Sequence, residues 1–223
     1  MLYSEENVKA NIRNRQGHRV FFLGNGDQLT PSARDWLQRE RIEILPAAQA
    51  VITQYQLENG AVLQEKPEHY THLRGNILVP KTHPVIAFRG AVDTLQAQLL
   101  LAQAAAPEHI RPQVGELLAL ARMLIRWEVM QEPAQLHGLF GLTDEQLRSR
   151  SHFPQEHYGI PHFMPEYTDG PAMLQLNAAR CAARTLELAA AHAFGQERPD
   201  LIQILNRMSS AIYLLMLQLK KDL

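Results

Sequence analysis

Two arginines and a glutamate share one long apolar stretch of the sequence, and together they could bind an anion. Arg180, Arg184 and Glu187 lie within residues 172–194, where most neighbours are Ala or Leu and no Gly or Pro occurs. This composition favours an uninterrupted helix. Spacings of i, i+4 and i+7 place the three side chains on one helical face. The stripe therefore predicts either pairing across an interface or an anion-binding site.

Polar stripes of the same kind occur in two other stretches with helical periodicity. The residues at these spacings are Arg89, Asp93 and Gln96 in the first stretch, and Asn206, Ser210 and Tyr213 in the second. Burying such groups unpaired would cost about 1–3 kcal/mol each, and more for the charges. We therefore expect the stripes to face each other, a ligand or a second subunit. Structural ion pairs and solvated faces are the alternative.

Long helices are expected to position these stripes. Apolar periodicity predicts helices over residues 85–106, 107–131, 172–194 and 199–220, with a short helix over 143–150. Thr143 and Gln146 form a capping-box pattern at the start of the short helix. Residues 151–171, rich in aromatic residues and proline, are expected to form a structured loop. The fold class is thus mainly α, as an up-down bundle of about five helices.

The N-terminal part of the chain has a different pattern and is predicted to be a small α/β segment. Residues 1–16 read as a helical lead-in, 19–23 and 42–45 as strands, and 51–57 with 61–63 as a hairpin around Asn59 and Gly60. Thr30 is expected to cap a helix that begins with Pro31. Residues 66–84 are expected to be an extended loop. We predict three parts: the segment 1–65, the linker 66–84, and the bundle 85–223.

Composition narrows the functional classes. The net charge of −1 excludes a strongly basic nucleic-acid binder. Cys181 is the one cysteine, which rules out an internal disulfide framework and fits a reducing cytoplasm. We expect it to be a helical packing residue, as we do Trp36 and Trp127. Neither a secretory signal nor a membrane-spanning run is predicted, so we expect a cytoplasmic protein.

Several stretches resemble ATP:cob(I)alamin adenosyltransferases. Residues 71–97, THLRGNILVPKTHPVIAFRGAVDTLQA, resemble the phosphate loop and first helix of that family. GAVDTL, RCAARTLE and LNRMSSAIYLL are similar to motifs of its propanediol-utilisation class. Three further stretches resemble the ethanolamine-utilisation (EutT-type) class: LTPSARDWLQRERIEI, QEPAQLHGLFGLTDEQLRSRSH and DLIQILNRMSSAIYLLM. The matches occur in the family's order and span residues 28–45 and 70–217.

The resemblance implies a nucleotide site. Arg184 would contact the phosphates of ATP, supplied with Mg²⁺, and Glu187 would orient the arginine or the nucleotide. Asn206 matches a nucleotide-contacting asparagine, with Arg207 as a weaker candidate. Asp93 and Arg180 match a pair that bridges adjacent subunits at this site. Thr71 and Lys81 fall in the phosphate-loop region, where the family's glycine-rich start is reduced to Arg74-Gly75-Asn76.

For the corrinoid, the resemblance points to Phe163. It lies where the propanediol-utilisation class has a phenylalanine that displaces the lower ligand of cobalamin, which makes reduction to cob(I)alamin easier. A core or lid aromatic residue is the alternative interpretation.

The sequence departs from some EutT-type members in its potential metal ligands. Those members carry one histidine and three closely spaced cysteines before the first bundle helix, whereas residues 58–73 here contain no cysteine. His69, His72 and His83 remain, but a zinc or iron site needs thiolates or several converging imidazoles. We therefore predict that no transition metal is bound.

The family's activity is transfer of the 5′-deoxyadenosyl group of ATP to cob(I)alamin. The resemblance implies that the protein makes adenosylcobalamin for a cobalamin-dependent ammonia-lyase or diol dehydratase with its reactivase. It implies further that this takes place in a bacterial microcompartment. It also implies a trimer, as in the propanediol-utilisation class, or a dimer, as in the EutT type. The alternative is a non-catalytic corrinoid carrier or chaperone with the same fold. A ferritin-like di-metal bundle is excluded, because the Glu-x-x-His pairs that it needs on facing helices are lacking.

Overall fold

The computed structural model describes residues 1–15, 18–47 and 54–222. The chain forms two compact units, Met1–His83 and Pro84–Leu223, and each has its own hydrophobic core. Helices predominate in the described residues, which confirms the mainly-α fold class.

The first unit combines short strands with two helices. Strand β1 (Leu2–Tyr3) pairs in parallel with β4 (Gln28–Leu29). In a second sheet, β3 (His18–Leu23) lies between antiparallel β2 (Arg13–Arg15) and parallel β5 (Glu43–Pro46). The helices are α1 (Glu5–Ala10) and α2 (Pro31–Arg39). Of the predicted helical lead-in over residues 1–16, α1 is the helical portion.

The core of this unit is apolar. Its buried members are Val8, Phe21, Leu29, Ala33, Trp36, Leu37 and Ile42. The hydroxyl of Thr30 accepts a hydrogen bond from the backbone N–H of Ala33, and Pro31 occupies the first turn of α2. The predicted cap and the packing role of Trp36 are both confirmed.

The predicted loop over residues 66–84 is wrong, because most of it forms a hairpin. Strands β8 (Tyr70–Arg74) and β9 (Ile77–Pro80) pair antiparallel, and β9 also pairs in parallel with β6 (Tyr55–Leu57). Strand β7 (Val62–Leu63) completes the sheet as the antiparallel partner of β6, which confirms the described part of the predicted hairpin. Residues 51–53 of that prediction lie outside the described residues.

The hairpin depends on contacts with residues distant in sequence. Buried Asn76 accepts a hydrogen bond at its side-chain oxygen from the backbone N–H of Asn14, 2.9 Å away. Gly75 has φ +56°, and a Cβ there would lie 2.9 Å from the carbonyl oxygen of Ile12. A glycine is therefore required at this turn both by its backbone conformation and by the lack of space. The proline content that suggested a loop is tolerated because Pro80 ends its strand.

The second unit is a helical assembly built on four long helices. These are α3 (Pro84–Ala105), α4 (Arg111–Met130), α7 (Gly170–Phe194) and α8 (Pro199–Asp222). Helix α3 packs against α4 and α7, and α7 packs against α8. Two shorter helices, α5 (Asp144–His152) and α6 (Pro154–Tyr158), pack on α8. All four predicted long helices are confirmed.

The connections between these helices carry the predicted signals. Thr143 and Gln146 form the expected reciprocal capping box at the start of α5. The predicted loop over residues 151–171 contains α6 and a 3₁₀ turn at Tyr167–Asp169. We refer to residues 153–169 as the aromatic segment.

One side of helix α7 is buried, and it consists of both small and large apolar residues. The buried members are Met173, Leu176, Ala179, Ala183, Leu186 and Ala190. Alanines on this side allow close approach of neighbouring helices, and the larger residues fill the remaining volume. Trp127 on α4 is also buried in this core, as predicted.

Helix α3 is the one described helix whose length and mean hydropathy would allow it to cross a membrane. One third of its most apolar 18-residue window is buried within the unit, at 33%. Core helices of globular proteins pass the same test, so the property by itself carries little weight.

A polar clasp joins the end of α4 to the start of α8. The Arg198 guanidinium donates to the carboxylate of Asp200 and to the backbone carbonyls of Trp127 and Glu132, at 2.9–3.3 Å. Asp200 also accepts from the backbone N–H of Ala134 at 2.7 Å. Burial raises the pKa of Asp200, but the hydrogen bonds from Arg198 and Ala134 outweigh it and hold the pKa below 3.8.

This clasp predicts acid sensitivity that Asp200→Asn should reduce. A carboxyl whose pKa is lowered on folding stabilises the native state above its unfolded pKa, and that contribution disappears as pH falls through the folded pKa. We expect Asp200→Asn to lower the free energy of unfolding at pH 7, and the difference from wild type to shrink below about pH 4. Urea unfolding at pH 7, 5 and 3.5 measures this. Glu197→Gln, an exposed neighbouring change, is the control. A difference that does not vary with pH would contradict the prediction.

Candidate active site

The polar stripe on α7 divides into one exposed and two engaged side chains. Arg184 is exposed and makes no hydrogen bond or ion pair with any described residue. Arg180 is half-buried, with its guanidinium carbon 5.4 Å from the centroid of the Tyr213 ring. The Glu187 carboxylate accepts a hydrogen bond from the side-chain amide of Asn206 at 3.3 Å. The stripes of α7 and α8 therefore face each other at this point, which is one of the three arrangements that the sequence left open.

Asn206 belongs to a polar network that links three helices. Its amide oxygen accepts from Arg207 at 3.3 Å, and Arg207 also donates through Nε to Asp144 at the start of α5. Asp144 accepts a second hydrogen bond, from Gln203, at 3.3 Å. The chain from Glu187 to Asp144 thus fixes the amide of Asn206 between α7 and α5. Sequence reasoning missed Asp144, although its place directly after the Thr143 cap was a local signal for an acidic first turn.

The stripe on α3 behaves differently from the other two. Arg89 makes a bidentate ion pair with Glu128 of α4, at 2.7 and 3.1 Å, and this carboxylate is only 1% exposed. Asp93 is exposed and pairs with no described residue. Asp93 and Arg180 are therefore not paired within one protomer. The Arg89–Glu128 pair was not predicted, because nothing local marks Glu128 as its partner.

Phe163 is half-buried at the inner side of the aromatic segment. Its ring stacks on Tyr213 of α8 with centroids 5.9 Å apart, and the Lys220 ammonium lies 5.6 Å from its centroid. Burial raises the pKa of Tyr213, although a hydrogen bond with the Phe163 backbone and the Arg180 charge oppose the change. The phenol therefore stays protonated at neutral pH. The sequence placed Tyr213 in a polar stripe but did not reveal this aromatic contact.

Large apolar side chains are exposed around Phe163. Met164 and Tyr167 are each 86% exposed, and Phe153 is 53% exposed. Exposed apolar groups of this size are candidates for a contact surface, and these three occur on one segment of the chain.

Apolar side chains are also exposed on the packed pair α3 and α7. Leu100 and Leu101 are exposed on α3, and Leu174 and Leu188 on α7. Cys181 lies midway between the last two at seven-residue spacing and is exposed as well, so the prediction that it is a packing residue is wrong. The reason is its helical phase, because Leu176, Ala183 and Ala190 form the buried side.

Thr71 and Lys81 belong to the first unit. Thr71 is half-buried in β8, opposite Val79 of β9. Lys81 follows β9 and is exposed, with its ammonium 3.0 Å from the Glu68 carboxylate. The hydrogen bond and charge of Lys81 lower the pKa of Glu68.

The three histidines near these residues have separate surroundings. His69 packs against Tyr70, His72 packs against Tyr55, and His83 lies 3.4 Å from Glu58. Within residues 1–15, 18–47 and 54–222, no group of three or more His, Cys, Asp or Glu side chains is placed to hold a metal ion. The lack of a bound transition metal stays a prediction.

Comparison with known proteins agrees with the family resemblance of the sequence motifs. A family model for cobalamin adenosyltransferase matches residues 61–219, well over half of the chain. The corrinoid adenosyltransferase EutT of Escherichia coli K12 is 31% identical over 158 residues, which cover 69% of this chain and 59% of that protein. The EutT of Salmonella typhimurium LT2 is 26% identical over 238 residues, covering 94% of this chain and 89% of that protein.

The match therefore spans about three fifths of the E. coli relative's length, at 59%. The residues matched by the family model include α3, α4 and α7 in full and α8 as far as residue 219. The chain belongs to the cobalamin adenosyltransferase family.

Proposed function

We propose that this protein transfers the 5′-deoxyadenosyl group of ATP to cob(I)alamin. The electron pair of Co(I) forms a bond to C5′ of ATP, the C5′–O5′ bond breaks, and the polyphosphate leaves with that bond's electrons. The product is adenosylcobalamin, an alkyl cobalt(III) compound. The observation that carries the proposal is Arg184, an exposed guanidinium without an intramolecular partner among the described residues, one turn from the Glu187–Asn206 pair.

Arg184 suits a leaving group with several negative charges. A guanidinium donates parallel hydrogen bonds to two phosphate oxygens and stays charged at any working pH. Because Arg184 has no described carboxylate partner, binding a phosphate breaks no described ion pair. Its charge would act on the oxygen that becomes more negative as the C–O bond breaks.

Glu187 and Asn206 would hold the nucleotide beside this arginine. Their mutual hydrogen bond, and the Arg207–Asp144 pair behind Asn206, limit the rotamers of both side chains. Carboxylate and amide oxygens are hard ligands that suit Mg²⁺, so Glu187 and Asn206 fit a Mg²⁺–ATP complex. The ion would supply positive charge to the phosphate oxygens. Thr71 and Lys81 of the first unit are proposed as further phosphate contacts, as the resemblance implies.

Phe163 and its exposed neighbours would contact the corrinoid. Met164 and Tyr167 supply apolar surface suited to a macrocycle, and the half-buried Phe163 ring is positioned by Tyr213. An apolar ring below the cobalt would replace the lower ligand and make Co(II) easier to reduce.

We also propose that α3 and α7 form a subunit interface. Both helices expose leucines. Each also carries one charged side chain that forms no ion pair with a described residue: Asp93 on α3 and Arg180 on α7. Opposite charges on adjacent apolar helices suit pairing of Asp93 in one protomer with Arg180 in the next. Whether the assembly is a dimer or a trimer is an outcome of the measurement below.

Removal of Asp93 is expected to weaken this assembly. Asp93→Ala leaves Arg180 of the neighbouring protomer without its carboxylate, so the subunit dissociation constant should rise about tenfold or more. Light scattering coupled to size exclusion, over a dilution series, measures it. Glu108→Ala, an exposed acidic residue before α4, is the matched control. Identical dissociation curves for Asp93→Ala and wild type would contradict the interface.

The function is tested by mixing the protein with ATP, Mg²⁺ and chemically reduced cobalamin. Loss of the cob(I)alamin absorbance together with formation of a light-sensitive alkylcobalamin supports the proposal. Absence of this product with active reductant refutes it.

A non-catalytic corrinoid carrier is the second candidate. The reduced phosphate-loop glycine content, Arg74-Gly75-Asn76, favours it, since fewer backbone N–H groups are free to approach phosphates. Tight binding of adenosylcobalamin without ATP turnover would distinguish a carrier from an enzyme.

The wider context is proposed from the relatives' name and from the resemblance. The protein would act in the cytoplasm or in a bacterial microcompartment for ethanolamine use, serving a cobalamin-dependent ammonia-lyase or diol dehydratase with its reactivase. The bundle would have the up-down arrangement of about five helices. The functional division would be 1–65, 66–84 and 85–223, with the phosphate loop in the middle part.

A further inference from the structure

The hydroxyl of Tyr213 contacts the aromatic segment at His162. It lies 3.2 Å from Nδ1 of the His162 ring. The other nitrogen of His162, Nε2, lies 3.2 Å from the carbonyl oxygen of His152. A carbonyl only accepts, so in the neutral ring Nε2 carries the proton and Nδ1 accepts from the Tyr213 hydroxyl. The Tyr213 hydroxyl therefore donates to the aromatic segment at His162.

The ring of Tyr213 makes three further contacts. His162 and Phe163 stack on it, with centroids 5.8 and 5.9 Å away and interplanar angles of 15° and 28°. The guanidinium of Arg180, on α7, lies 5.4 Å from the same centroid. Tyr213 itself is only 7% exposed, so α8 holds it rigidly. One side chain thus joins the helix of the proposed phosphate site to the segment of the proposed corrinoid site.

Lys220 holds the other end of the same segment. Its ammonium pairs with the carboxylate of Asp169, whose side chain is 7% exposed, and lies 5.6 Å from the centroid of Phe163. Asp169 in turn accepts a hydrogen bond from the backbone N–H of Glu166 at 2.8 Å. Two residues of α8, seven positions apart and so on one helical face, therefore fix the segment at residues 162–163 and at 169.

We infer that Tyr213 and Lys220 are positioning residues for corrinoid binding, which together hold Phe163 at a defined place on α8. The inference rests on the proposed function. Met164 and Tyr167, between the two attachment points, point into solvent at 86% exposure, so the fixed segment presents apolar groups outward. Fixing the segment in advance reduces the conformational entropy lost when the corrinoid binds. Phe163 would then face the cobalt without rearrangement.

Two substitutions separate this role from general support of the core. Tyr213→Phe keeps the aromatic ring and removes only the hydroxyl with its hydrogen bond to His162. Lys220→Met keeps most of the aliphatic stem and removes the ion pair with Asp169. Lys221→Met, the adjacent exposed lysine, is the matched control.

The experiment combines hydrogen exchange with steady-state kinetics on the intact protein. In Tyr213→Phe and Lys220→Met, we expect amide exchange over residues 160–169 to accelerate about threefold or more, and that of α7 to stay unchanged. The KM for cob(I)alamin should rise about 3- to 10-fold, the loss expected for one or two hydrogen bonds, with the KM for ATP within about twofold of wild type. Lys221→Met should match wild type in all three.

Three results would overturn the inference. Unchanged exchange over residues 160–169 means that the contacts do not hold the segment. Faster exchange with an unchanged KM for cob(I)alamin means that they hold it for structural reasons only. Equal increases in the KM values for ATP and cob(I)alamin mean that the effect is not specific to the corrinoid.

Failure of the proposed function is recognised separately. If wild type forms no adenosylcobalamin, the affinity for cob(II)alamin and the fraction in which its lower ligand is displaced replace the KM. A drop in that fraction for Tyr213→Phe and Lys220→Met, with Lys221→Met unchanged, would still support the positioning role. If the wild-type protein neither forms adenosylcobalamin nor binds a corrinoid, both the proposed function and the positioning role are wrong.

Discussion

Replacing Arg184 by alanine is expected to lower kcat/KM for adenosyl transfer by about two to three orders of magnitude. The Arg184 side chain is exposed and makes no hydrogen bond or ion pair with a described residue. Its loss therefore breaks no described contact within the folded protomer. What it removes is the positive charge placed to meet the polyphosphate as it leaves. Anaerobic assays with saturating cob(I)alamin and varied ATP measure the effect, which should appear in kcat as well as in KM.

Controls for Arg184→Ala come from the same chain. Arg184→Lys should recover part of the rate, because it restores the charge without the bidentate geometry. Arg122→Ala removes an exposed arginine from α4 and should leave the rate unchanged. Arg184→Ala should also keep the oligomer that Asp93→Ala loosens. If both variants dissociate alike, the assignment of phosphate binding to Arg184 and of subunit contact to the Asp93–Arg180 pair is wrong.

Replacing Arg89 by methionine is expected to cost about 3 kcal/mol in the free energy of unfolding at neutral pH. The Glu128 carboxylate is almost completely buried and receives two hydrogen bonds from this guanidinium. Removing one member of a buried pair leaves the other charge with inadequate solvation, which is more costly than replacing the whole pair. Urea unfolding followed by circular dichroism measures the change.

A double substitution tests the cause of that loss. Arg89→Met combined with Glu128→Leu removes both charges, so it should be more stable than Arg89→Met alone. A loss below about 1 kcal/mol for the single variant, or a double variant less stable than the single one, would show that the pair does not work in this way.

Helix α7 contributes to each part of the proposed mechanism. Arg184 faces solvent, Arg180 covers Tyr213, and the opposite side of the helix is buried in the core. Packing on one side therefore fixes the helix rigidly, and the polar side is positioned by that packing. A helix fixed by packing on its apolar side holds the charged groups on its other side in place. Their hydrogen-bonding groups then remain free for a ligand.

The principal helices and their caps could be predicted from the sequence. Apolar periodicity located α3, α4, α7 and α8, and the Thr143–Gln146 box located the start of α5. The polar stripes on α7 and α8 followed from the same periodicity. These features depend on residues within one or two turns of each other, so local sequence contains the information.

Only the tertiary structure decided which distant groups meet. Cys181 is exposed because of the direction in which α7 packs, and Arg89 pairs with Glu128, 39 residues away in sequence. Residues 70–80 form a hairpin rather than a loop. Tyr213 meets His162 across 51 residues. Each of these depends on the packing of several elements at once, and no local pattern records which partner fills a given space. The sequence by itself determined the helices, their polar faces and the family; the tertiary structure decided which of those polar groups are engaged within the protomer and which, like Arg184, stay exposed.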